Sequence, residues 1–237
     1  MSILRSSTRI LAALALAAPT LAQAQAYQCR APQVTRVPVI TPDGPRRTVP
    51  VTGYTLALSW SPEFCKPRRE DRSHAFQCSG KAGSFGLVVH GLWPEGAKDW
   101  PQWCDARSAL TPADIRSALC LMPSERLVAR QWAKHGSCMV RRPAAYLEVI
   151  RILRSGLRLP DYDRLSREEG LTAGRIRAAF ADANPDWPES AVGVKLSARG
   201  WLEEIRLCYS RRFRPAPCPP ARRGAKDTAP AQIWRGL

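Results

Sequence analysis

The chain has 237 residues, 45% of them hydrophobic, and its 36 Lys and Arg against 20 Asp and Glu give a formal charge of +16. That length holds one ordinary domain with a real core, and no segment approaches the roughly 20 consecutive apolar residues of a membrane span. The charge favours polyanionic partners such as nucleic acid, although a basic chain from an arginine-rich proteome would carry it too.

Residues 1–26 read as a secretory signal peptide. Arg5 and Arg9 are followed by an apolar run from Ile10 to Ala18 and by small residues at Ala24 to Ala26. An exported chain is expected in the periplasm or outside the cell, with no membrane association after cleavage. The eight cysteines then read as a disulfide framework. Their spacing does not suit zinc, because neither a close cysteine pair nor a histidine pair at helical spacing is present. Spacing alone leaves the connectivity open.

Residues 27–52 form an extended arm rich in Pro, Val and Thr, with a turn at Pro42 to Pro45. "YTLALSW" (Tyr54 to Trp60) suits a buried strand, and the polar, basic stretch after it is a loop with Cys65 and Cys78 at its ends. His74, within that loop, reads as solvated surface. "FGLVVHGLW" (Phe85 to Trp93) is a second buried strand, ended by Pro94. Helices follow. Thr111 caps one with Pro112 behind it, Ser124 caps the next with Gly136 at its stop, Tyr146, Ile150 and Leu153 stripe a third, and a fourth runs from Leu171 despite Gly174. Ala191 to Ser210 reads as a hairpin turning near Arg199 and Gly200. From Pro215 the chain is Pro- and Arg-rich and expected to be loose, with 219–237 as a basic tail. Strands early and late with helices between them give an α+β class: a central antiparallel sheet packed with several helices in one disulfide-stapled domain.

Two stretches carry histidines that invite chemistry. In "QWAKHGSC", Gln131, Lys134 and His135 fall at i, i+3 and i+4 of a helix and share one face, with Val128 and Trp132 beside them as a core stripe. Cations in a last turn also simply complement the helix dipole. In "HGLWPEG", a strand delivers His90 near its end beside Trp93, an arrangement suited to acid–base work next to a stacked ring. A core histidine with Trp93 as packing fits the same residues.

Taken together, "HGLWP" and "QWAKHGSC" closely resemble the two active-site segments of the ribonuclease T2 family, and "LSWSPEFC", "WPQWC" and "EIRLCYS" look like its bacterial members. The resemblance covers roughly Tyr54 to Cys218, so 53–218 is the expected catalytic domain. It implies His135 as general base, His90 as general acid, Lys134 as the cation for the phosphorane, and Trp93, Glu95 and Trp100 on the base side. It further implies Cys104–Cys138 between the active-site segments. Cys65–Cys78 would close its loop and Cys208–Cys218 would tie the last strand to the tail, which leaves Cys29–Cys120.

The implied protein is a monomeric endoribonuclease for single-stranded RNA with low base specificity and no metal or cofactor. It would form 2′,3′-cyclic phosphate and then 3′-phosphate ends and leave DNA uncut, since DNA lacks the 2′-OH. One departure stands out. The family often has Glu where this chain has Gln131, and histidine where it has Arg130. An amide at Gln131 can bond phosphorane oxygens but cannot relay a proton or orient Lys134 by charge. This keeps a catalytically weak RNA-binding or toxic protein on the same fold as the alternative. A cysteine hydrolase built on His135 and Cys138 conflicts with an oxidised Cys138, and a metal nuclease lacks a carboxylate cluster beside either histidine.

Overall fold

The computed structural model describes residues 29–236; the expected signal peptide lies outside them. Four strands, β1 (Gly53–Trp60), β2 (Leu87–Glu95), β3 (Val192–Leu196) and β4 (Leu202–Ser210), form one antiparallel sheet in the order β2-β1-β4-β3. Eight helices accompany them: α1 (Ser61–Cys65), α2 (Ala75–Cys78), α3 (Pro112–Ala118), α4 (Glu125–Lys134), α5 (Pro143–Ser155), α6 (Tyr162–Leu165), α7 (Ala173–Ala183) and α8 (Pro220–Arg223). The class is α+β. No helix of the described residues is long and apolar enough to cross a membrane.

Strand alternation splits the sheet into an apolar and a polar face. Leu56 and Leu58 of β1 pair with Leu207 and Ile205 of β4, and all four are fully buried in the core beside Leu92, Val192 and Val194. Each such side chain contributes about 1.5–3 kcal/mol by leaving water. The opposite face carries Thr55 and Ser59 of β1, Glu204 and Arg206 of β4, and Trp93 of β2, in register with one another. A period of two thus places a hydrophobic core on one side and a polar site on the other.

Helix starts follow local chemistry. The Thr111 side chain accepts from the Asp114 amide while Asp114 answers the Thr111 amide, a reciprocal cap on α3. Ser124 accepts from the Leu127 amide and starts α4. From α4, Val128 and Trp132 enter the core; from α5, buried Tyr146 donates its hydroxyl to the Leu92 carbonyl at 3.0 Å.

Several expectations are corrected. β2 does not stop at Pro94 but runs to Glu95. It is an edge strand, where a residue without an amide proton is tolerated. His90 is therefore mid-strand. Ala57 pairs with Gly91 and Leu58 with Val89, so His90 is the extra residue of a β-bulge. The stretch between Cys65 and Cys78 contains a 3-10 turn (Arg72–His74) and α2 where a plain loop was expected, and His74 is half-buried, edge-on to Phe64 at 5.2 Å. Residues of the arm dock on the domain: Val34 is buried and Arg47 bridges to Gln102.

The segment after Pro219 is not loose. Ala231 and Ile233 are buried, the Leu202 amide donates to Gln232 at 2.8 Å, and the Trp60 indole donates to the Trp234 carbonyl at 2.5 Å. Composition suggested a solvated tail, but its carbonyls and apolar residues find partners that only the folded domain supplies. The cysteines pair as Cys29–Cys120, Cys65–Cys78, Cys104–Cys138 and Cys208–Cys218, the four expected pairs, of which the family resemblance implied Cys104–Cys138.

Candidate active site

The site is assembled where the end of α4 meets the polar face at β2. The bulge turns His90 out of the strand's alternation, and its Nδ1 donates across β1 to Glu204 Oε1 at 2.7 Å. Glu204 is itself fixed by Arg206, whose Nε lies 3.1 Å from Oε2. Burial raises the Glu204 pKa, but the His90 hydrogen bond and the charges of His90, Arg206 and Lys195 outweigh it and hold the carboxyl at about 2. An ionised acceptor on Nδ1 holds the proton there, and Nε2 has no partner among the described residues.

His135 ends α4 as its C-cap and is only 7% exposed. Burial, aided by the charges of Lys134, His90, Arg222 and Arg130, pushes its pKa down to about 3. Its buried Nδ1 has no hydrogen-bond partner among the described residues. At neutral pH this is an uncharged imidazole. Trp93 lies between the two histidines, edge-on to His90 at 5.2 Å and tilted to His135 at 6.0 Å between ring centroids.

Gln131 is buried behind Trp93, and its Oε1 accepts the indole N–H at 2.9 Å. The amide expected at the phosphorane thus holds the Trp93 ring. This contact needs Gly91, because a β-carbon there would lie 2.0 Å from Gln131 Oε1. Lys134 is paired with a residue of the arm. Its Nζ donates to Asp43 Oδ1 at 3.0 Å and Oδ2 at 3.1 Å, while Arg130 and the Trp103 indole donate to the same carboxylate. The Lys134 hydrogen bond leads in holding Asp43 down at about 2, with Arg130 adding to it against a smaller effect of burial.

A profile of the Ribonuclease T2 family matches residues 52–162. A ribonuclease of Aeromonas hydrophila is 42% identical over 176 residues, covering 67% of this chain and 71% of that protein. The chain belongs to the ribonuclease T2 family. A probable ribonuclease of Haemophilus influenzae is 32% identical over 187 residues, 74% of this chain, which spans 64% of that relative's length.

T2 architecture recurs in solved structures at identities that bear on the fold alone. The SF11-RNase of Nicotiana alata superposes with a TM-score of 0.60 at 18% identity over 78% of this chain and all of that one (100%). RNase NT with 5′-AMP gives 0.59 at 20% identity over 78% and 99%.

Within this T2 chain the base-side expectations occupy one neighbourhood. Glu95 accepts from Thr55 Oγ1 at 2.7 Å and from Arg222, while Trp100 is 38% exposed with Arg47 over its ring at 5.0 Å. A cavity of about 630 Å³ opens beside His90, with Phe64, Arg126 and Arg199 in its wall. Sequence reasoning missed Asp43, Glu204, Arg206 and Arg222. Glu204 lies in "EIRLCYS", which carried part of the resemblance, but its role needed the register that sets it beside Ser59 and within reach of the bulged His90. For Asp43 the sequence offered only a turn.

The two shifted groups make acid stability testable. His135 has a folded pKa below its ordinary 6.5, so the unfolded chain takes up its proton first and stability falls as pH drops from 6.5 toward about 3. Glu204 acts from its ordinary 4.5 down to about 2, with the same sign. Between pH 6.5 and 4.5 the effect belongs to His135. Urea midpoints should fall across that window in the wild type and stay nearly level in His135→Gln. An equal fall in both would show that His135 is not held neutral.

Proposed function

We propose that this T2 chain is an exported endoribonuclease that cuts single-stranded RNA by transesterification, using His135 as base and His90 as acid. The carrying observation is the unlike state of two histidines on either side of one indole. His135 is neutral by burial, and His90 is fixed by an ionised carboxylate. Neutral His135 takes the proton of the 2′-OH, and the oxygen attacks the adjacent phosphorus. His90 Nε2–H protonates the departing 5′-oxygen, leaving a 2′,3′-cyclic phosphate. Water then opens the ring to a 3′-phosphate with the histidine roles exchanged. Lys134 supplies charge to the crowded phosphorane, and Trp93 offers a stacking face that tolerates any base. The mechanism asks nothing of a metal. DNA is expected to bind without being cut. The four disulfides suit an oxidising compartment, and we read the enzyme as a monomer.

Asp43 favours a second reading, a weak or silent enzyme that retains RNA. Its carboxylate occupies Lys134 and Arg130, two of the cations whose charge reaches His135, and Gln131 brings no charge of its own. One experiment separates the two. The oxidised protein is incubated with a defined single-stranded RNA in excess EDTA and the new termini are identified by mass spectrometry. Cyclic phosphate ends, absent with His90→Ala, are the expected outcome. Intact but bound RNA would give the second reading the advantage.

A further inference from the structure

Building on the ribonuclease reading, we infer that Arg222, from the C-terminal segment, reads the edge of the nucleobase stacked at Trp93. Its guanidinium carbon lies over the Trp93 ring, 5.3 Å from the centroid, and over that of Trp100 at 5.7 Å, joining the two exposed or half-exposed indoles of the site. Nε donates to Glu95 Oε1 at 2.6 Å and Nη2 to Oε2 at 3.2 Å, and both side chains are largely withdrawn from solvent, at 18% and 16% exposure. No part of this segment falls within the family match at 52–162.

The placement of Arg222 is built. The backbone of α8 lies so close on β3 that a β-carbon at Gly193 would sit 2.1 Å from the Arg222 carbonyl oxygen. Gly224, at φ 74°, then turns the chain so that the Ala225 amide donates to Val194 at 2.8 Å. Fully buried Arg177 grips the far side, donating to the carbonyls of Arg223 and Ala225. Arg206, already bound to Glu204, donates to the Ala221 carbonyl at 3.3 Å. One side of the segment is thereby linked to the residue that fixes His90.

The pairing with Glu95 selects the ligand chemistry. An unpaired arginine beside the scissile bond would serve a phosphate, but here a carboxylate neutralises the guanidinium and would repel one. What the pair offers is a donor beside an acceptor: Nη1 has no partner among the described residues, and Glu95 Oε2 accepts only from Arg222. Nucleobase edges present that complementary pattern, and phosphates do not.

The test compares wild type, Arg222→Met and Arg222→Lys on four short single-stranded RNAs that differ only in the base beside the cleavage site. Thermal unfolding of each variant confirms that it is folded, and Arg222→Gln replaces the Met variant if that one is not. In Arg222→Met, kcat/KM should fall about tenfold for the best base and less than about threefold for the poorest. The salt dependence of KM should stay unchanged, and Lys should not restore the preference because it lacks the planar fork. An equal loss for all bases with a salt slope shallower by about one would make Arg222 a phosphate contact. That result, or no loss, overturns the inference. If the wild type itself cuts none of the RNAs, the ribonuclease reading fails separately. Binding of the matching 2′-deoxy oligonucleotides to wild type and Arg222→Met then decides the role of Arg222 by the same pattern of base dependence.

Discussion

Replacing His135 by alanine should lower kcat for RNA cleavage by about 10²–10⁴-fold. No other group at the site can take over proton abstraction. Glu204 is committed to His90 and Arg206, Glu95 to Arg222 and Thr55, and Asp43 to Lys134 and Arg130. KM should change by less than about threefold, since in the proposed mechanism the imidazole acts on the proton in flight and contributes little to holding RNA. Burial and the surrounding cations keep His135 neutral down to a pKa of about 3, so the wild type should remain active below pH 5 on this group's account. The double variant with His90→Ala should be scarcely slower than the worse single variant, because the two groups act as a unit. A His135→Ala enzyme retaining more than about a tenth of wild-type kcat would remove it from the chemistry.

The largest stability effect is expected at Arg177. This side chain is fully buried in α7, where its guanidinium donates to the carbonyls of Val192 at 2.9 Å, Arg223 at 2.9 Å and Ala225 at 2.6 Å, and to the Asp227 carboxylate at 2.5 Å. Met fills much of the same volume but takes this donor from the three carbonyls, while Asp227 keeps Arg223. Leaving a buried acceptor unsatisfied costs about 1–3 kcal/mol for each group. Arg177→Met should therefore unfold at clearly lower urea and expose residues 219–236 to protease before the rest of the chain. Arg177→Lys should recover little, since one ammonium cannot span the four acceptors. Because the same network places α8, the Met variant should also lose activity at temperatures where its core remains folded. A change in unfolding free energy below about 1 kcal/mol would show that the segment is held by its apolar residues and not by Arg177.

The sequence by itself determined the class of the molecule and half of its site. Alternation in β1 and β4, caps at Thr111 and Ser124, and the helical spacing of Gln131, Lys134 and His135 are local properties, fixed within a few residues and legible there. The likeness of "HGLWP" and "QWAKHGSC" to the ribonuclease T2 family added the remaining histidine and the Cys104–Cys138 pair. Only the tertiary structure decided the bulge that turns His90 toward Glu204, the docking of Asp43 on Lys134, and the return of the C-terminal segment that brings Arg222 to Glu95 and Trp93. These contacts join residues 114, 91 and 127 positions apart. No local propensity encodes them. They form because a buried or crowded charge must find its counter-charge, and which one it finds depends on strand register and on where the chain ends pack once the core has closed.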